Sequence, residues 1–264
     1  MAEGHATALT QLEGLDAVLA ILVVILPIVS SLAVFLYGKK HWRGGAATVL
    51  AAVGATVLIM GRFLVRTLQG GEPVGWQVEW FSIGQYHFTF GFLLDNVSVW
   101  LASLVSLLAF LIVLFSTHYM HEEPNEKLRR YYAVKSLFIA GMLGTVLMDN
   151  YLLMFIFWEI MGLCSYLLIG YWYHKDSAAS AAKKAFLTTR IGDVGMLIGI
   201  LLIWLNVGSF GMFDAFEAVA KRRGGAFRIQ HKKVNLADAT VAWEHEHFAK
   251  QRMPAATVSA LQAP

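Results

Sequence analysis

The sequence predicts an all-α fold, a polytopic bundle of transmembrane helices, and two observations lead to this fold class. Of the 264 residues, 57% are apolar and 15% are charged, against about 45–50% and about 25% in soluble domains. The apolar residues also gather into runs of roughly 20, the length with which a helix crosses about 30 Å of hydrocarbon. The mean hydropathy of +0.57 excludes a disordered chain.

Six such runs are predicted spans. They lie near residues 15–37, 46–65, 93–116, 133–149, 151–172 and 186–207. The first is predicted to be a retained helix, because Glu3, Glu13 and Asp16 stand where a signal peptide carries basic residues. The fourth and fifth meet at Asp149 and Asn150, which predicts a tight turn between antiparallel helices.

The basic residues predict how the bundle is oriented. Short loops rich in Lys and Arg stay on the cytoplasmic side of a membrane. Such residues follow the first span and separate the third from the fourth and the fifth from the sixth: Lys39, Lys40, Arg43, Lys127, Arg129, Arg130, Lys135, Lys175, Lys183 and Lys184. The alternate loops hold almost none, so we expect the N-terminus outside and these three loops in the cytoplasm.

Residues 208–264 are predicted to form a polar, basic extramembrane tail. Six spans would return this tail to the outside, yet it carries eight Lys and Arg residues. Either it is a peripheral segment that continues differently in a longer chain, or one of the spans is wrong. The stretch DAFEAVAKRR is compatible with a short amphipathic helix. The run WEHEHF, with His245 and His247, is a weak metal-binding pattern more typical of a solvated stretch.

Glu159 is the first candidate for chemistry. It lies near the middle of the fifth span, where an ionised side chain costs about 2.5–3.5 kcal/mol unless it finds a partner or water. The alternative to a functional role is a neutral, hydrogen-bonded Glu that fixes the packing. An amide would do that without a titratable group, so we predict a proton relay role for Glu159.

Arg190 and Asp193 lie three residues apart at the start of the sixth span, so they share a helix face and can pair. Lys183 and Lys184 precede them on SAASAAKKAF, which predicts an amphipathic helix along the cytoplasmic interface. We expect a graded series of charges running inward from that interface, in the order Lys184, Arg190, Asp193 and Glu159. Asp193 and Glu159 are expected on opposite sides of the midplane. The alternative is a structural ion pair beside an interfacial lysine.

No cofactor or metal site is expected in the chain. There is no Gly-rich dinucleotide motif, and the single Cys164 cannot hold an iron–sulfur cluster. The net charge of +3 is too small to indicate nucleic acid binding. Asp95, in FGFLLDNVSVW, is predicted to cap the third helix.

Two long segments resemble a known family. Residues 154–204, MFIFWEIMGLCSYLLIGYWYHKDSAASAAKKAFLTTRIGDVGMLIGILLIW, resemble the antiporter-like membrane subunit of NADH:quinone oxidoreductase (respiratory complex I) known as chain 5 or chain L. The upstream FGFLLDNVSVWLASLVSLLAFLIVLFSTHYM resembles the N-terminal module of that family. The segments W-E-x-x-G-L-C-S-Y-L-L-I-G and R-I-G-D are specific to it.

The resemblance implies a function and assigns residues to it. It implies a proton-translocating subunit in the cell inner (cytoplasmic) membrane, which couples quinone reduction in other subunits to proton movement. The family's essential membrane Glu falls on Glu159, its Arg and Asp pair on Arg190 and Asp193, and its interface Lys on Lys184. The implied partners are the other membrane subunits of complex I, the lipid bilayer and protons. As a subunit without a redox site, the chain would be part of a translocase only through the complex.

The chain also departs from the family. Family members place the lysine that pairs with the Glu on the helix after next, in a G-K-S-A-Q-like segment, and no such segment stands here. The chain is therefore expected to correspond to the N-terminal part of the subunit, as a split gene, a truncated frame or a fragment. The alternatives are a cation/proton antiporter or membrane-bound hydrogenase subunit of the same superfamily, and a membrane scaffold that moves no protons.

Overall fold

The structure is a computed structural model that describes residues 10–11, 14–38, 45–71, 74–83, 86–222, 226–228 and 259–261. Within these residues the helices are α1 (Gly14–Tyr37), α2 (Ala46–Leu68), α3 (Asn96–Tyr119), α4 (Asn125–Leu147), α5 (Tyr151–Ile169), α6 (Asp176–Val207) and α7 (Met212–Arg222). The strands are β1 (Thr10–Gln11), β2 (Val74–Ile83), β3 (Tyr86–Leu94), β4 (Ala226–Arg228) and β5 (Ser259–Leu261).

The predicted polytopic helical bundle is confirmed. Among the described residues, five helices are long and apolar enough to cross a membrane, namely α1, α2, α3, α5 and α6. The fourth predicted span, α4, is not one of them. It begins at Asn125, eight residues before the predicted start, and includes the charged residues of 126–130.

The less apolar α4 is the central helix of the bundle. Eleven of its residues are buried, against eight in α1. It packs against α1 through the Ser30 and Ser136 hydroxyls, 2.5 Å apart, and through Ser31, whose Oγ donates to the Ala133 carbonyl at 2.7 Å. Because neighbouring helices cover α4, its polar groups are satisfied by protein and its sequence does not need to be strongly apolar.

Lys135 corrects the prediction that it belongs to a basic loop. It lies within α4 and is 8% exposed. Its Nζ donates hydrogen bonds to Ser116 Oγ at 2.5 Å and to Tyr131 Oη at 2.7 Å. The polar groups of α3 and α4 therefore enclose this ammonium in the bundle, and it does not contribute to the positive charge of a loop.

A β-hairpin that the sequence did not predict stands before the third span. Strands β2 and β3 pair in antiparallel register from Val74 opposite Leu94 to Ile83 opposite Tyr86, and β1 pairs with β2 in parallel. The third helix therefore begins at Asn96 rather than at 93. Asp95 caps it as predicted: its Oδ1 accepts from the Ser98 amide at 2.9 Å, and the Ser98 hydroxyl accepts from the Asp95 amide at 3.0 Å.

The prediction of a separate interfacial helix before the sixth span is wrong. The segment SAASAAKKAF continues without a break into the span, so that α6 runs over 32 residues. The connection from α5 to α6 is hydrogen-bonded to α4, because Arg130 donates to the Tyr171 carbonyl at 2.9 Å. It is also hydrogen-bonded to the α3–α4 loop, since Trp172 Nε1 donates to the Glu123 carboxylate of that loop at 2.9 Å.

Helix α7 occupies the position of the predicted amphipathic segment, and strands β4 and β5 pair with each other. Residues 229–258 lie outside the described residues, with the run that holds His245 and His247. Lys39, Lys40 and Arg43 also lie outside them. The division into a membrane domain and a polar tail, and the assignment of the tail to one side of the membrane, stay predictions.

Candidate functional site

Helix α5 carries Glu159 at its centre. The helix begins where Asn150 caps it, with Oδ1 accepting from the amides of Leu152 at 2.8 Å and Leu153 at 3.4 Å. The tight turn predicted at Asp149 and Asn150 is thus confirmed, since α4 ends at Leu147 and α5 begins at Tyr151. Glu159 is one residue from the middle of α5, about 1.5 Å along its axis.

Helix α6 runs antiparallel to α5. The Cβ that Gly170 lacks would lie 3.2 Å from the Ala182 Cβ. Further from the turn, the Tyr166 and Phe186 rings lie 5.1 Å apart. Residues about equally far from the turn therefore face each other, and this register brings the middle of α6 to the level of Glu159.

Three charged side chains meet there, and we call Glu159, Arg190 and Asp193 the charged cluster. Arg190 Nη1 forms an ion pair with Glu159 Oε2 and lies 3.9 Å from Asp193 Oδ2. Trp158 Nε1 donates a hydrogen bond to Asp193 Oδ1 at 2.9 Å. The Arg190 guanidinium also lies over the Phe186 ring, 4.6 Å from its centroid. One cation thus contacts two carboxylates from two different helices.

The members of the charged cluster differ in burial. The side chain of Asp193 is 9% exposed, that of Glu159 is 23% exposed and that of Arg190 is 34% exposed. Arg190 Nε is buried and has no hydrogen-bond partner within the described part of the chain. With all three groups ionised the charged cluster carries a net charge of −1, which makes it a site where one proton would restore neutrality.

The structure changes the predicted arrangement of these residues. The pairing of Arg190 with Asp193 is present, but Glu159 is the nearer partner of Arg190. Asp193 is hydrogen-bonded to the neighbour of Glu159 in sequence, so the two carboxylates lie at one level. Asp193 therefore lies beside Glu159 rather than before it in the expected graded series. The position of the two carboxylates relative to the membrane midplane stays a prediction.

Lys184 lies apart from the charged cluster. It is exposed, six residues or about 9 Å before Arg190 along α6. No hydrogen bond or ion pair of Lys184 is found within the described ranges. Lys183, seven residues before Arg190, falls nearly on the same helix face. The structure brings Glu159, Arg190 and Asp193 together, and it leaves both lysines toward the end of the bundle.

Sequence reasoning missed Trp158 and Phe186. The signal that could have found them is the short connection between α5 and α6, because it fixes which residues face each other. Ser165, a small polar residue of α5, donates to the Gly162 carbonyl of its own helix at 2.7 Å. No group of three or more His, Cys, Asp or Glu side chains suited to a metal occurs in the part of the chain that the structure describes.

Fold and site together define a class: a multi-pass membrane protein with one cation shared by two carboxylates near the middle of two antiparallel helices. Residues 80–132 match the family described as NADH-Ubiquinone oxidoreductase (complex I), chain 5 N-terminus. Residues 148–237 match the family described as NADH:quinone oxidoreductase/Mrp antiporter, TM. These two matches together extend over more than half of the chain, and they confirm its predicted resemblance to the antiporter-like membrane subunits of NADH:quinone oxidoreductase.

Curated relatives agree with this family. The chain is 39% identical over 165 residues to NAD(P)H-quinone oxidoreductase chain 5 of Synechocystis, covering 62% of this chain and 24% of the relative. It is 38% identical over 205 residues to NADH-quinone oxidoreductase subunit L of Mycobacterium tuberculosis, covering 75% and 32%. It is 41% identical over 185 residues to F(420)H(2) dehydrogenase subunit L of Methanosarcina mazei, covering 70% and 27%. The chain spans about a quarter to a third of the length of these relatives.

Two solved structures share the fold. One is the membrane-bound sulfane sulfur reductase, an archaeal respiratory membrane complex, with a TM-score of 0.65 and 20% identity over 74% of this chain and 39% of that one. The other is the Mrp complex from Dietzia sp., with a TM-score of 0.63 and 20% identity over 76% of this chain and 21% of that one. At this identity the likeness shows the fold alone.

Proposed function

We propose that the chain is a proton-translocating membrane subunit of NADH:quinone oxidoreductase in the cell inner (cytoplasmic) membrane. The charged cluster would be its proton relay. The observation that carries the proposal is Arg190, whose guanidinium serves two carboxylates near the middle of α5 and α6. Ionisable groups at such depth are rare in membrane helices and commonly belong to proton or ion pathways.

The geometry suggests how a proton would be handled. One guanidinium fully compensates one carboxylate, so a proton arriving at the charged cluster neutralises the other. When Glu159 takes the proton, Arg190 is free to pair with Asp193, whose Oδ2 is 3.9 Å away. Trp158 holds Asp193 Oδ1, so the other carboxylate oxygen stays directed toward Arg190. The exchange of partners would then link the proton on Glu159 to the charge on Asp193.

Lys184 is proposed as the residue at which protons enter from the cytoplasmic interface. Its exposure and its place on the first third of α6 support an interfacial position. The basic residues of the neighbouring loops assign this end to the cytoplasm. Lys184 is not in contact with the charged cluster, so water would have to carry the proton over the remaining length of α6.

Partners follow from the absence of a redox motif in the sequence. Electrons would reach the quinone in other membrane subunits of the complex, and their reaction would act on the charged cluster through charge or movement. The relative from Methanosarcina mazei is named for a different electron donor, which supports a donor that other subunits determine. The exposed apolar faces of the helices would contact the lipid bilayer.

The proposal is tested by Glu159→Gln in membrane vesicles that hold the chain with its partner subunits. The amide keeps the size of the side chain and loses the exchangeable proton, so we expect assembly to persist and proton transfer per quinone reduced to fall to background. Glu122→Gln, at a side chain that is 88% exposed, is the matched control and should pump normally.

The alternatives predict other results. A cation/proton antiporter would show proton transfer that depends on an added cation gradient rather than on quinone reduction. If the chain were a scaffold that moves no protons, the complex would pump normally with Glu159→Gln, and that result would contradict the proposal.

A further inference from the structure

A second carboxylate outside the charged cluster is buried without a counter-charge. Asp149, in the turn between α4 and α5, is 8% exposed. Its Oδ1 is buried and has no hydrogen-bond partner within the described residues. A buried carboxylate without a cation, and with one oxygen unbonded, is costly as an ion. The residue is therefore better suited to hold a proton than to stay charged.

Asp149 lies where three segments of the chain meet, which we call the outer junction. Its amide donates to the Gly91 carbonyl of β3 at 3.4 Å, and its carbonyl accepts from the Met212 amide, the first of α7, at 3.1 Å. Beside it, the Tyr151 amide donates to the Phe210 carbonyl at 3.0 Å. Helix α7 is thus joined to the bundle through the backbone of Asp149 and its neighbours.

The side chains around Asp149 offer no compensating charge. On the side of α7, Asp214 accepts a hydrogen bond from the Ser209 hydroxyl at 2.5 Å, and its negative charge acts on Asp149. Helix α5 begins at Tyr151, whose hydroxyl is uncharged at neutral pH. Strand β3 presents Gly91, where any Cβ would clash with the Asp149 carboxylate. Among the side chains that the structure describes here, the charged groups are two carboxylates.

We propose that Asp149 is a proton-binding site whose occupancy controls how firmly α7 is joined to the bundle. With the proton bound, the outer junction is neutral at Asp149 and its backbone hydrogen bonds form without strain from a buried charge. Without the proton, the charge on Asp149 is left unpaired beside Asp214 and favours opening of the outer junction to water. The ligand is a proton from the side that the basic loops assign to the outside.

Burial, the largest cause, and the charge of Asp214 together raise the pKa of Asp149 from 3.8 to about 6, against the opposing effect of a hydrogen bond from the backbone amide of Asp149. The folded outer junction therefore binds the proton more tightly than the opened one. The bound proton stabilises the closed outer junction fully at a pH below 3.8, the pKa of an aspartate that is open to water. This stabilisation is lost as the pH rises through about 6. The population of the open outer junction should rise roughly 50-fold between about pH 4 and about pH 7.

Hydrogen–deuterium exchange of the full chain in lipid nanodiscs tests this proposal. We expect the amides of Tyr151 and Met212, corrected for the intrinsic pH dependence of exchange, to lose protection as the pH rises from about 4 to about 7. Asp149→Asn should abolish this dependence and protect both amides at neutral pH. Asp214→Asn removes a negative charge that raises the pKa of Asp149, so its midpoint should move to lower pH.

Asp176→Asn, an exposed acidic residue at the opposite end of α6, is the control and should leave the profile of the native chain. Unchanged protection of the centre of α4 reports that each variant is folded. A flat profile in the native chain, or the same profile in Asp149→Asn, would overturn the proposal. An Asp149→Asn variant that does not fold leaves the midpoint of Asp214→Asn to decide, and a midpoint that does not fall would overturn it as well.

Discussion

Helices α1 and α2 and helices α5 and α6 are all long and apolar enough to span a membrane, yet protein covers the two pairs very differently. In the most apolar stretch of α1, 39% of the residues are buried, and in α2 33%, against 11% in α5 and 11% in α6. The first pair surrounds α4 with α3. Helices α5 and α6, which carry the charged cluster, leave most of their surface uncovered by protein.

The two regions also satisfy their polar groups differently. Between α3 and α4, Lys135 is enclosed by hydroxyl groups and a backbone carbonyl. Between α5 and α6, Glu159 and Arg190 keep part of their surface exposed. Charges at this depth normally face protein or water rather than lipid. The comparison indicates that protein encloses the polar groups of α3 and α4, whereas α5 and α6 leave the charged cluster, the proposed relay, partly exposed.

The largest effect is expected from Gly144→Leu in α4. A Cβ at Gly144 would clash with the Phe157 ring of α5, and overpacking of a core costs about 1–3 kcal/mol. We expect the free energy of unfolding of the purified chain in detergent to fall by about 3 kcal/mol. Unfolding is monitored by circular dichroism. An unchanged unfolding midpoint would show that α4 and α5 are not packed closely here.

A smaller effect is expected from Lys135→Ala. The Ser116 and Tyr131 hydroxyls are 3.0 Å apart and can bond to each other, so the loss is mainly that of packing. The free energy of unfolding should fall by about 2 kcal/mol. Lys135→Met, which keeps the volume, should recover at least half of it. Equal losses in both variants would mean that the ammonium itself stabilises α3 and α4.

The cap of α3 is expected to contribute about 1 kcal/mol. Asp95→Ala removes the carboxylate that accepts from the Ser98 amide, and such substitutions cost about 0.5–2 kcal/mol. Asp95→Asn retains an acceptor oxygen and should cost less. Thermal unfolding of the two variants beside the native chain measures the difference, and an equal loss would argue for the charge rather than the hydrogen bond.

The smallest effect is expected from Gly192→Leu in α6, the counterpart of Gly144→Leu. No atom lies within 4 Å of the Cβ that Gly192 lacks, so the side chain enters open space. We expect a change within about 0.5 kcal/mol in the same detergent assay. A large loss would show that protein covers this side of α6, and it would remove the contrast between the two regions.

The sequence predicts the helices of the bundle and two of their N-terminal ends because these depend on local patterns. Apolar runs locate the helices, and Asp95 and Asn150 have the side chains that cap them. The hairpin of β2 and β3 escapes this reasoning, since its second strand ends in the apolar residues Leu93 and Leu94 that also read as the start of a span. Lys135 escapes it too, because burial by neighbouring helices is a tertiary effect.

The sequence was enough to select the charged residues of the candidate site, but not to predict which of them contact each other. The spacing of Arg190 and Asp193 on one face is a local property and is confirmed as a contact. The closer pairing of Arg190 with Glu159, and the bond from Trp158 to Asp193, depend on the register between α5 and α6. That register depends on where α5 ends and α6 begins. The predicted spans ended at 172 and began at 186, whereas the helices end at Ile169 and begin at Asp176. The relay roles of these residues, and that of Lys184, stay predictions.

The most direct test of the charged cluster as a proton relay exchanges its two paired charges. Glu159→Arg and Arg190→Glu are made singly and together, and assembly and quinone-coupled acidification are measured in membrane vesicles that hold the partner subunits. Each single variant leaves like charges adjacent, so we predict poor assembly and no proton transfer. The double variant should regain assembly but not proton transfer, because the pair is restored while the exchangeable carboxylate has moved from α5 to α6. Full recovery of proton transfer in the double variant, or normal transfer in either single variant, would contradict the account.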